Sequence, residues 1–325
     1  MLSTYYCSLI DHLKPQPFWI LFLFSIGLIS IFKNSILIAK WIFTTLLRPP
    51  KNLKKDYGSW ALITGSTDGI GKAMAYELAK KGLNLILISR NSQRLEQVSN
   101  QIQSLFPNIH IKILALDFSL MDDNRCYVRI QGAIKELDVG LLVNNVGVTY
   151  SSGAKFFHEV EKEDWMNVVR VNLKATTLVT RAVVEGMIKR KRGSIVNIGS
   201  GAAIVVPSHP LYAVYAATKA YVDQLSRSLY VEYGSWGIHV QCQVPLYVST
   251  KMASRVAKIQ KSSFFVPNAE SYAKAAVNRI GYEVRCTPWW THSLQWTFAS
   301  FLPQSLLDHW RLSIGISRRR DLQKN

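Results

Sequence analysis

The run Trp60-Ala61-Leu62-Ile63-Thr64 passes without a spacer into Gly65-Ser66-Thr67-Asp68-Gly69-Ile70-Gly71 and then into a helical pattern that continues to Lys81. A strand, a glycine-rich turn and a helix in that order constrain the fold more than any other feature of this chain. Residues without a Cβ let the backbone turn sharply and present successive N–H groups, and the helix start adds the positive end of its dipole. Such a turn can cradle a pyrophosphate. The segment therefore predicts a dinucleotide site contacted by Gly65, Ser66, Thr67, Asp68, Gly69, Ile70 and Gly71.

The alternation continues downstream. Short runs of branched and apolar residues predict strands at Trp60–Thr64, Leu85–Ser89, Ile109–Leu116, Gly140–Asn144, Ser194–Ile198 and Ile238–Val244. Amphipathic patterns between and after them predict helices at Ile70–Lys81, Gln93–Ser104, Asn124–Glu136, Glu163–Lys189, Tyr215–Tyr233 and Glu270–Tyr282. The expected fold class is α/β, a Rossmann-type doubly wound parallel sheet over residues 59–286.

At 325 residues the chain exceeds that domain, and the surplus lies at its two ends. No charge occurs from Pro15 to Phe32, and a second apolar run, Ile36–Leu47, is interrupted only by Lys40. A bilayer needs about 20 apolar residues, so the first run is marginal alone and the second either extends it or lies in the interface. We expect a retained membrane anchor over residues 1–47 and a basic linker over 48–58. A cleaved signal peptide is the competing reading, but the segment lacks a basic leader and an Ala-x-Ala-like site. Arg48, Lys51, Lys54 and Lys55 follow the apolar segment and favour a cytosol-facing domain.

Residues 287–325 form a hydrophobic and basic C-terminal extension. Pro288–Leu307 contains no Asp, Glu, Lys or Arg and carries Trp289, Trp290 and Trp296. It reads equally as a membrane-surface segment or as a cap over a substrate pocket, and Pro303 argues against a regular second span.

Lys plus Arg number 39 against 21 Asp plus Glu, a net charge of +18. This excess suits membrane lipid, a phosphate-bearing substrate or nucleic acid. No recognised nucleic-acid module accompanies it, so nucleic acid is not expected as a partner. The four cysteines, Cys7, Cys126, Cys242 and Cys286, are widely separated. They indicate neither a metal site nor a disulfide framework, which fits a reducing, cytosol-facing environment.

The chemistry sits in Tyr215-Ala216-Ala217-Thr218-Lys219. A phenol with a pKa near 10 donates its proton near neutrality only if a cation stabilises the phenolate, and a lysine four residues on shares its helix face. Tyr212 has Ala216 at that position instead. The second strand ends Ile88-Ser89-Arg90-Asn91, with no acid to meet a ribose 2′-hydroxyl. Arg90 can clamp a 2′-phosphate, so NADPH/NADP+ is expected over NADH. A solvated loop arginine is the alternative.

With these residues in place, the chain resembles the short-chain dehydrogenase/reductase family from about Ser59 to Cys286. Thr64–Gly71 matches its cofactor loop, Asn144-Asn145-Val146-Gly147 its Asn-Asn-Ala-Gly-like segment, and Asn172, Ser200, Tyr215 and Lys219 its catalytic tetrad. The resemblance implies that Tyr215 protonates the substrate oxygen and that Lys219 also holds the nicotinamide ribose. By the same resemblance Ser200 binds and polarises the substrate carbonyl, and Asn172 positions a water. Asp117 would contact adenine, Asn145 and Gly147 would line the cofactor, and Pro245, Val248 and Thr250 would hold the nicotinamide. Two departures stand out. Ser200 and Tyr215 are fifteen residues apart, with a longer loop through Pro207-Ser208-His209-Pro210, and the family's Pro-Gly pair reads Pro245-Leu246.

The apolar N-terminus, Asn-Asn-Val-Gly, the runs Asn197–Ala203 and Val240–Val248, and Gly281-Tyr282-Glu283 are similar to the plant-type very-long-chain 3-oxoacyl-CoA reductases. That resemblance implies reduction of a 3-oxoacyl-CoA with NADPH at the endoplasmic reticulum membrane, among fatty-acid elongase components. The same subfamily includes 17β-hydroxysteroid dehydrogenases, which gives a ketosteroid as the alternative substrate. A non-catalytic NADPH-binding scaffold is the alternative of a different class. A dilysine retrieval signal is not evident in Leu322-Gln323-Lys324-Asn325.

Overall fold

The computed structural model describes residues 17–120 and 122–323. It divides at Pro49 and Pro50 into two units. In the first, helix α1 (Phe18–Ile42) runs on into a π-helical turn, Phe43–Leu47. The two apolar runs are thus one element of 30 residues, with an 18-residue stretch of mean hydropathy 2.0. At 1.5 Å per residue it is about 45 Å long, enough to cross a bilayer. The polar gap between the runs stays helical, where the Asn34 amide donates to the Ser30 hydroxyl at 3.5 Å. Residues 1–16 of the expected anchor lie outside the described residues.

The second unit begins with a short helix, α2 (Leu53–Asp56), capped by the Asn52 side chain. Then follow β1 (Trp60–Thr64), α3 (Gly69–Lys80), β2 (Asn84–Ser89), α4 (Ser92–Leu105), β3 (Ile111–Ala115), α5 (Asp123–Ile134) and β4 (Val139–Asn144). The second half runs α6 (Lys162–Val169), a π-helical turn at Arg170–Lys174, α7 (Ala175–Arg190), β5 (Gly193–Ile198), α8 (Gly201–Ile204), α9 (Ala213–Tyr233), β6 (Ile238–Gln243), α10 (Lys251–Ala257), α11 (Ala269–Asn278) and β7 (Arg285–Cys286). Two terminal helices, α12 (Trp290–Ser300) and α13 (Gln304–Gln323), complete it.

All neighbouring strands are parallel, in the order β3-β2-β1-β4-β5-β6-β7. The strands β1, β2, β4 and β5 are sealed on both faces, which is why they read as unbroken apolar runs rather than alternating ones. One face packs Ala73, Met74 and Leu78 of α3 with Tyr272, Ala273 and Ala276 of α11. The other packs Ile130 of α5 with Val179, Val183 and Met187 of α7. Strand order reverses between β1 and β4, and the crevice beyond their carboxyl ends is where such sheets bind ligands.

The structure departs from the sequence reading in definable places. The expected helix at 163–189 is broken by the π turn at Arg170–Lys174, and the one expected to reach Tyr282 stops at Asn278. The helix expected through Glu136 ends at Ile134, since Lys135 turns extended and Glu136 takes a φ of 64°. The two-residue β7 is too short to show a pattern. The C-terminal extension is helical and packs as a cap. Thr291 and His292 are fully buried, Leu307 nearly so, whereas Phe298, Phe301 and Trp310 face outward.

Candidate active site

The cofactor half of the crevice is built by packing constraints around the glycine turn. Thr64 ends β1 with its hydroxyl accepting from the backbone N–H groups of Asn145 and Val146, at 3.0 and 3.1 Å. The Asn145 amide returns bonds to the carbonyls of Thr64 and Gly65, each at 3.1 Å. Gly65 takes a φ of +65°, which favours glycine, and an added Cβ would lie 2.9 Å from the Asn145 amide nitrogen. Gly71 is held by contact alone. Its Cβ would stand 2.3 Å from that same nitrogen and 2.4 Å from the Gly65 carbonyl oxygen. The turn is thereby pressed against the end of β4, with Asp68 capping α3 and ion-paired to Lys251 at 2.9 Å.

A cavity of about 580 Å³ runs from this turn to the C-terminal helices. Of the residues expected to bind cofactor or substrate, Gly65, Thr67, Asp68, Gly69, Ile70, Arg90, Asp117, Asn145, Gly147, Ser200, Tyr215, Lys219, Pro245, Val248 and Thr250 line it. Ser66, Gly71 and Asn172 do not. Ser66 is fully buried under the turn with its hydroxyl donating to the Ile88 carbonyl at 3.4 Å. Arg94 also lines the cavity beside Arg90, one helical turn further along α4. Its backbone N–H is held by the Asn91 cap at 2.8 Å. The open turn, the α3 N-terminus and these two guanidiniums form a donor set that fits a phosphorylated dinucleotide.

The reacting end is assembled by β5 and α9. The Ser200 side chain caps α8, accepting from the Ala202 N–H at 3.2 Å, and it lies near enough to the Tyr215 phenol to act on its pKa. Burial raises the phenol's pKa, Ser200 opposes that rise, and the neighbouring Tyr247 phenol adds to it. Tyr215 therefore holds its proton firmly near neutrality.

Lys219, 6% exposed, donates to the Ile198 carbonyl at 2.8 Å. Burial of the ammonium lowers its pKa to about 8. Gly147 approaches closely, so that a Cβ there would lie 3.3 Å from the Lys219 nitrogen and 3.4 Å from the Asn172 carbonyl oxygen of the side chain.

Asn172 lies in the π turn, a distortion frequent at functional sites. Its side chain accepts from the Val148 N–H at 2.8 Å and donates to the Val148 carbonyl at 2.9 Å and to Thr218 at 3.0 Å. It is a brace between the β4 loop and α9. The Thr176 hydroxyl donates to its backbone carbonyl at 3.0 Å.

The far end of the cavity comes from segments the sequence reading did not connect. The long loop before Tyr215 reaches α13, where Ser208 bonds Asp308, His209 meets Arg311 at 2.7 Å, and Leu211 packs on Gly315. Leu211 is a branched residue at a φ of 66°, an uncommon conformation held by these contacts. Arg318 donates to the Tyr247 phenol at 2.8 Å. Burial alone would raise that phenol's pKa, but Arg311 and Arg318 outweigh it and hold the value below the usual one. Burial, then the same two arginines, lower the His209 pKa to about 3. His292, lowered by burial to about 4, accepts from the Leu246 N–H at 3.3 Å, which fixes the segment after Pro245.

Known proteins agree with this geometry. The short chain dehydrogenase family matches residues 59–261. A very-long-chain 3-oxoacyl-CoA reductase-like protein of Arabidopsis thaliana is 57% identical, covering 94% of this chain and 97% of its own. An inactive hydroxysteroid dehydrogenase-like protein 1 of Homo sapiens is 41% identical over 78% of this chain and 76% of its own. Among solved structures, a short-chain dehydrogenase from Sphingobium yanoikuyae in complex with NADPH superposes with a TM-score of 0.63 at 27% identity, covering 77% of this chain and 95% of that one. A family match across six of the seven strands, joined to a relative identical at more than half of its aligned positions, makes this chain a member of the short-chain dehydrogenases, an NAD(P)H-binding oxidoreductase that acts on a ketone.

Proposed function

We propose that this protein reduces the 3-ketone of a very-long-chain 3-oxoacyl-CoA to the 3-hydroxyl with NADPH, in fatty-acid elongation at the cytosolic face of the endoplasmic reticulum membrane. The observation that carries this reading is the 57% identity, over nearly the full length, to a very-long-chain 3-oxoacyl-CoA reductase-like protein. The site supports it physically. Arg90 and Arg94 favour the 2′-phosphate of NADPH, and α12 and α13 contribute Ala299, Leu307 and the half-exposed Trp310 to the cavity, an apolar end that suits an acyl chain. The apolar helix α1 supports membrane attachment, with lipid and elongase components as partners.

In this mechanism the glycine turn and the arginines hold the cofactor phosphates, while Lys219, Asn145, Gly147, Asp117, Pro245, Val248 and Thr250 seat its sugars and rings. The bound nicotinamide supplies a hydride to the ketone carbon. Ser200 donates a hydrogen bond to the ketone oxygen and polarises it. Tyr215 gives its proton to that oxygen as negative charge develops there, and the Lys219 ammonium stabilises the resulting phenolate. Asn172 keeps Lys219 and Gly147 in register and positions the water that returns a proton.

A ketosteroid is the second reading, favoured by the hydroxysteroid dehydrogenase-like relative. That relative is named inactive, which brings the non-catalytic scaffold into the same test. NADPH consumption is measured with a long 3-oxoacyl-CoA and with a 17-ketosteroid, for the wild type and Tyr215→Phe. Acyl-CoA turnover lost on substitution is expected. Steroid turnover alone selects the second reading, and NADPH binding with no turnover selects the scaffold.

A further inference from the structure

Arg311 is the buried cation whose surroundings ask most for a ligand. It is 7% exposed, sits on α13 and lines the cavity. Arg319, further along the same helix, has a carboxylate partner in Glu159. Among the described residues no Asp or Glu forms an ion pair with Arg311. Its partners are neutral, the His209 ring and the Tyr247 phenol. Its Nε is buried and has no hydrogen-bond partner. That Nε is closed off, so a ligand would meet the guanidinium through the atoms by which Arg311 lines the cavity, and a buried cation without a carboxylate favours an electron-rich partner there.

Arg311, Tyr247 and Tyr215 all line the same cavity, and Arg318 donates to the Tyr247 phenol at 2.8 Å. His209, with its pKa near 3, stays neutral and accepts from Arg311 rather than competing with it. The bond of Ser208 to Asp308 and the packing of Leu211 on Gly315 hold this end of α13 against the loop. The guanidinium is therefore preorganised rather than free to swing out.

We propose that Arg311, positioned by His209 and Tyr247, is a specificity-determining residue that binds an electron-rich oxygen of the substrate other than the ketone oxygen, either the thioester carbonyl or a phosphate of the CoA carrier. This rests on the acyl-thioester reading above. It gives that reading a residue that a plain ketone would not engage.

The experiment compares wild type, Arg311→Gln and Arg311→Lys on three substrates with NADPH. A long 3-oxoacyl-CoA carries both oxygens, its N-acetylcysteamine thioester carries the carbonyl without phosphate, and a long methyl ketone carries neither. NADPH binding and thermal melting establish that each variant is folded. Arg311→Gln is expected to lower kcat/KM for acyl-CoA at least tenfold more than for the methyl ketone, mainly through KM. An equal selective loss with the N-acetylcysteamine thioester identifies the carbonyl, and a loss confined to acyl-CoA identifies the phosphate. Equal effects on all three substrates, or none, would overturn the assignment. Should Arg311→Gln fail to fold, Arg311→Lys decides it, because a lost fork geometry must still shift the thioester-to-ketone ratio at least threefold. Failure of the underlying reading looks different, since wild type would then reduce neither thioester, and the proposal would fall with it.

Discussion

Lys219 donates to the carbonyl of Ile198 at 2.8 Å, and this bond ties the helix bearing Tyr215 to the last residue of the strand that delivers Ser200. One buried ammonium therefore helps set the spacing between Ser200 and Tyr215, the two groups proposed to meet the substrate oxygen, and in the proposed mechanism it also stabilises the Tyr215 phenolate. Its protonation state couples chemistry to geometry.

That coupling has a sign. Burial lowers the Lys219 pKa from 10.5 to about 8, so the cation is present at neutral pH and is lost as pH rises through about 8. The kcat/KM for NADPH, which reports the free enzyme, should be flat below about pH 7 and decline above about pH 8. Stability moves the other way. Between about 8 and 10.5 the unfolded chain binds more protons at this site than the folded one, so this group's contribution to stability rises with pH. Lys219→Met should abolish the alkaline decline along with most activity and remove this part of the pH dependence of melting. A wild-type rate unchanged to pH 9.5 would contradict the assignment.

Arg90 and Arg94 both line the cavity, and in the proposed NADPH mode they meet the ribose 2′-phosphate. A charge-assisted bond of this kind contributes about 1.5–3 kcal/mol, or roughly ten- to a hundredfold in binding. Substituting both by alanine should lower kcat/KM for NADPH by that factor while changing the NADH value much less. Equal losses for both cofactors would place the arginines outside cofactor selection.

Gly71 tests whether the turn is positioned by contact. A Cβ there meets the backbone carbonyl of Gly65 and the end of the Asn145 side chain, which two hydrogen bonds hold in place. Gly71→Ala must displace Asn145 from the bonds it makes to Thr64 and Gly65. Overpacking of this kind costs about 1–3 kcal/mol. Titration of NADPH fluorescence should show at least tenfold weaker binding, although Gly71 itself faces away from the cavity.

The parts of this protein that are legible in its sequence are those set by local chemistry. Trp60–Gly71 declares itself because a strand, a turn and a helix start are adjacent in the chain. Tyr215 and Lys219 declare themselves because a helix puts residues four apart on one face. Ser66 is chemically typical of such a turn, yet it points inward, and no periodicity in a turn reveals that. The π turn holding Asn172 is made of Arg170-Val171-Asn172-Leu173-Lys174, which read as ordinary helix residues. His209, Tyr247 and Arg311 come from three separate segments, and only the packing of α13 on the long loop brings them together. The loop's length was visible as a departure from the family's spacing, but the helix it reaches for was not.

The ion pair of Asp223 on α9 and Arg285 on β7 fastens the edge strand to the core. Asp223 is 6% exposed and receives the Arg285 Nε at 2.7 Å. Removing one partner of a buried pair leaves the other uncompensated, at a cost of about 3 kcal/mol, less whatever water reaches the partly exposed Arg285. Asp223→Asn should lower the melting temperature clearly, and Asp223→Leu combined with Arg285→Met should recover much of the loss. A melting temperature unchanged in the single variant would show that β7 is held by other contacts.

Membrane attachment is the part of the proposal that rests on α1. Its residues from Phe18 to Ile42 are mostly apolar, none of them is buried, and the 30-residue element contains an 18-residue stretch of mean hydropathy 2.0. A helix of that character in water would expose a continuous apolar surface, whereas a bilayer would cover it. Full-length protein expressed in cells should remain with membranes after alkaline carbonate washing. A charged residue near the middle of a span costs about 2.5–3.5 kcal/mol, so Phe24→Lys with Ile29→Lys should move much of it to the supernatant. Protease added to sealed vesicles should then cut the wild-type catalytic domain if it faces the cytosol, where Arg48, Lys51, Lys54 and Lys55 would hold it. Complete protection until detergent is added would reverse the orientation.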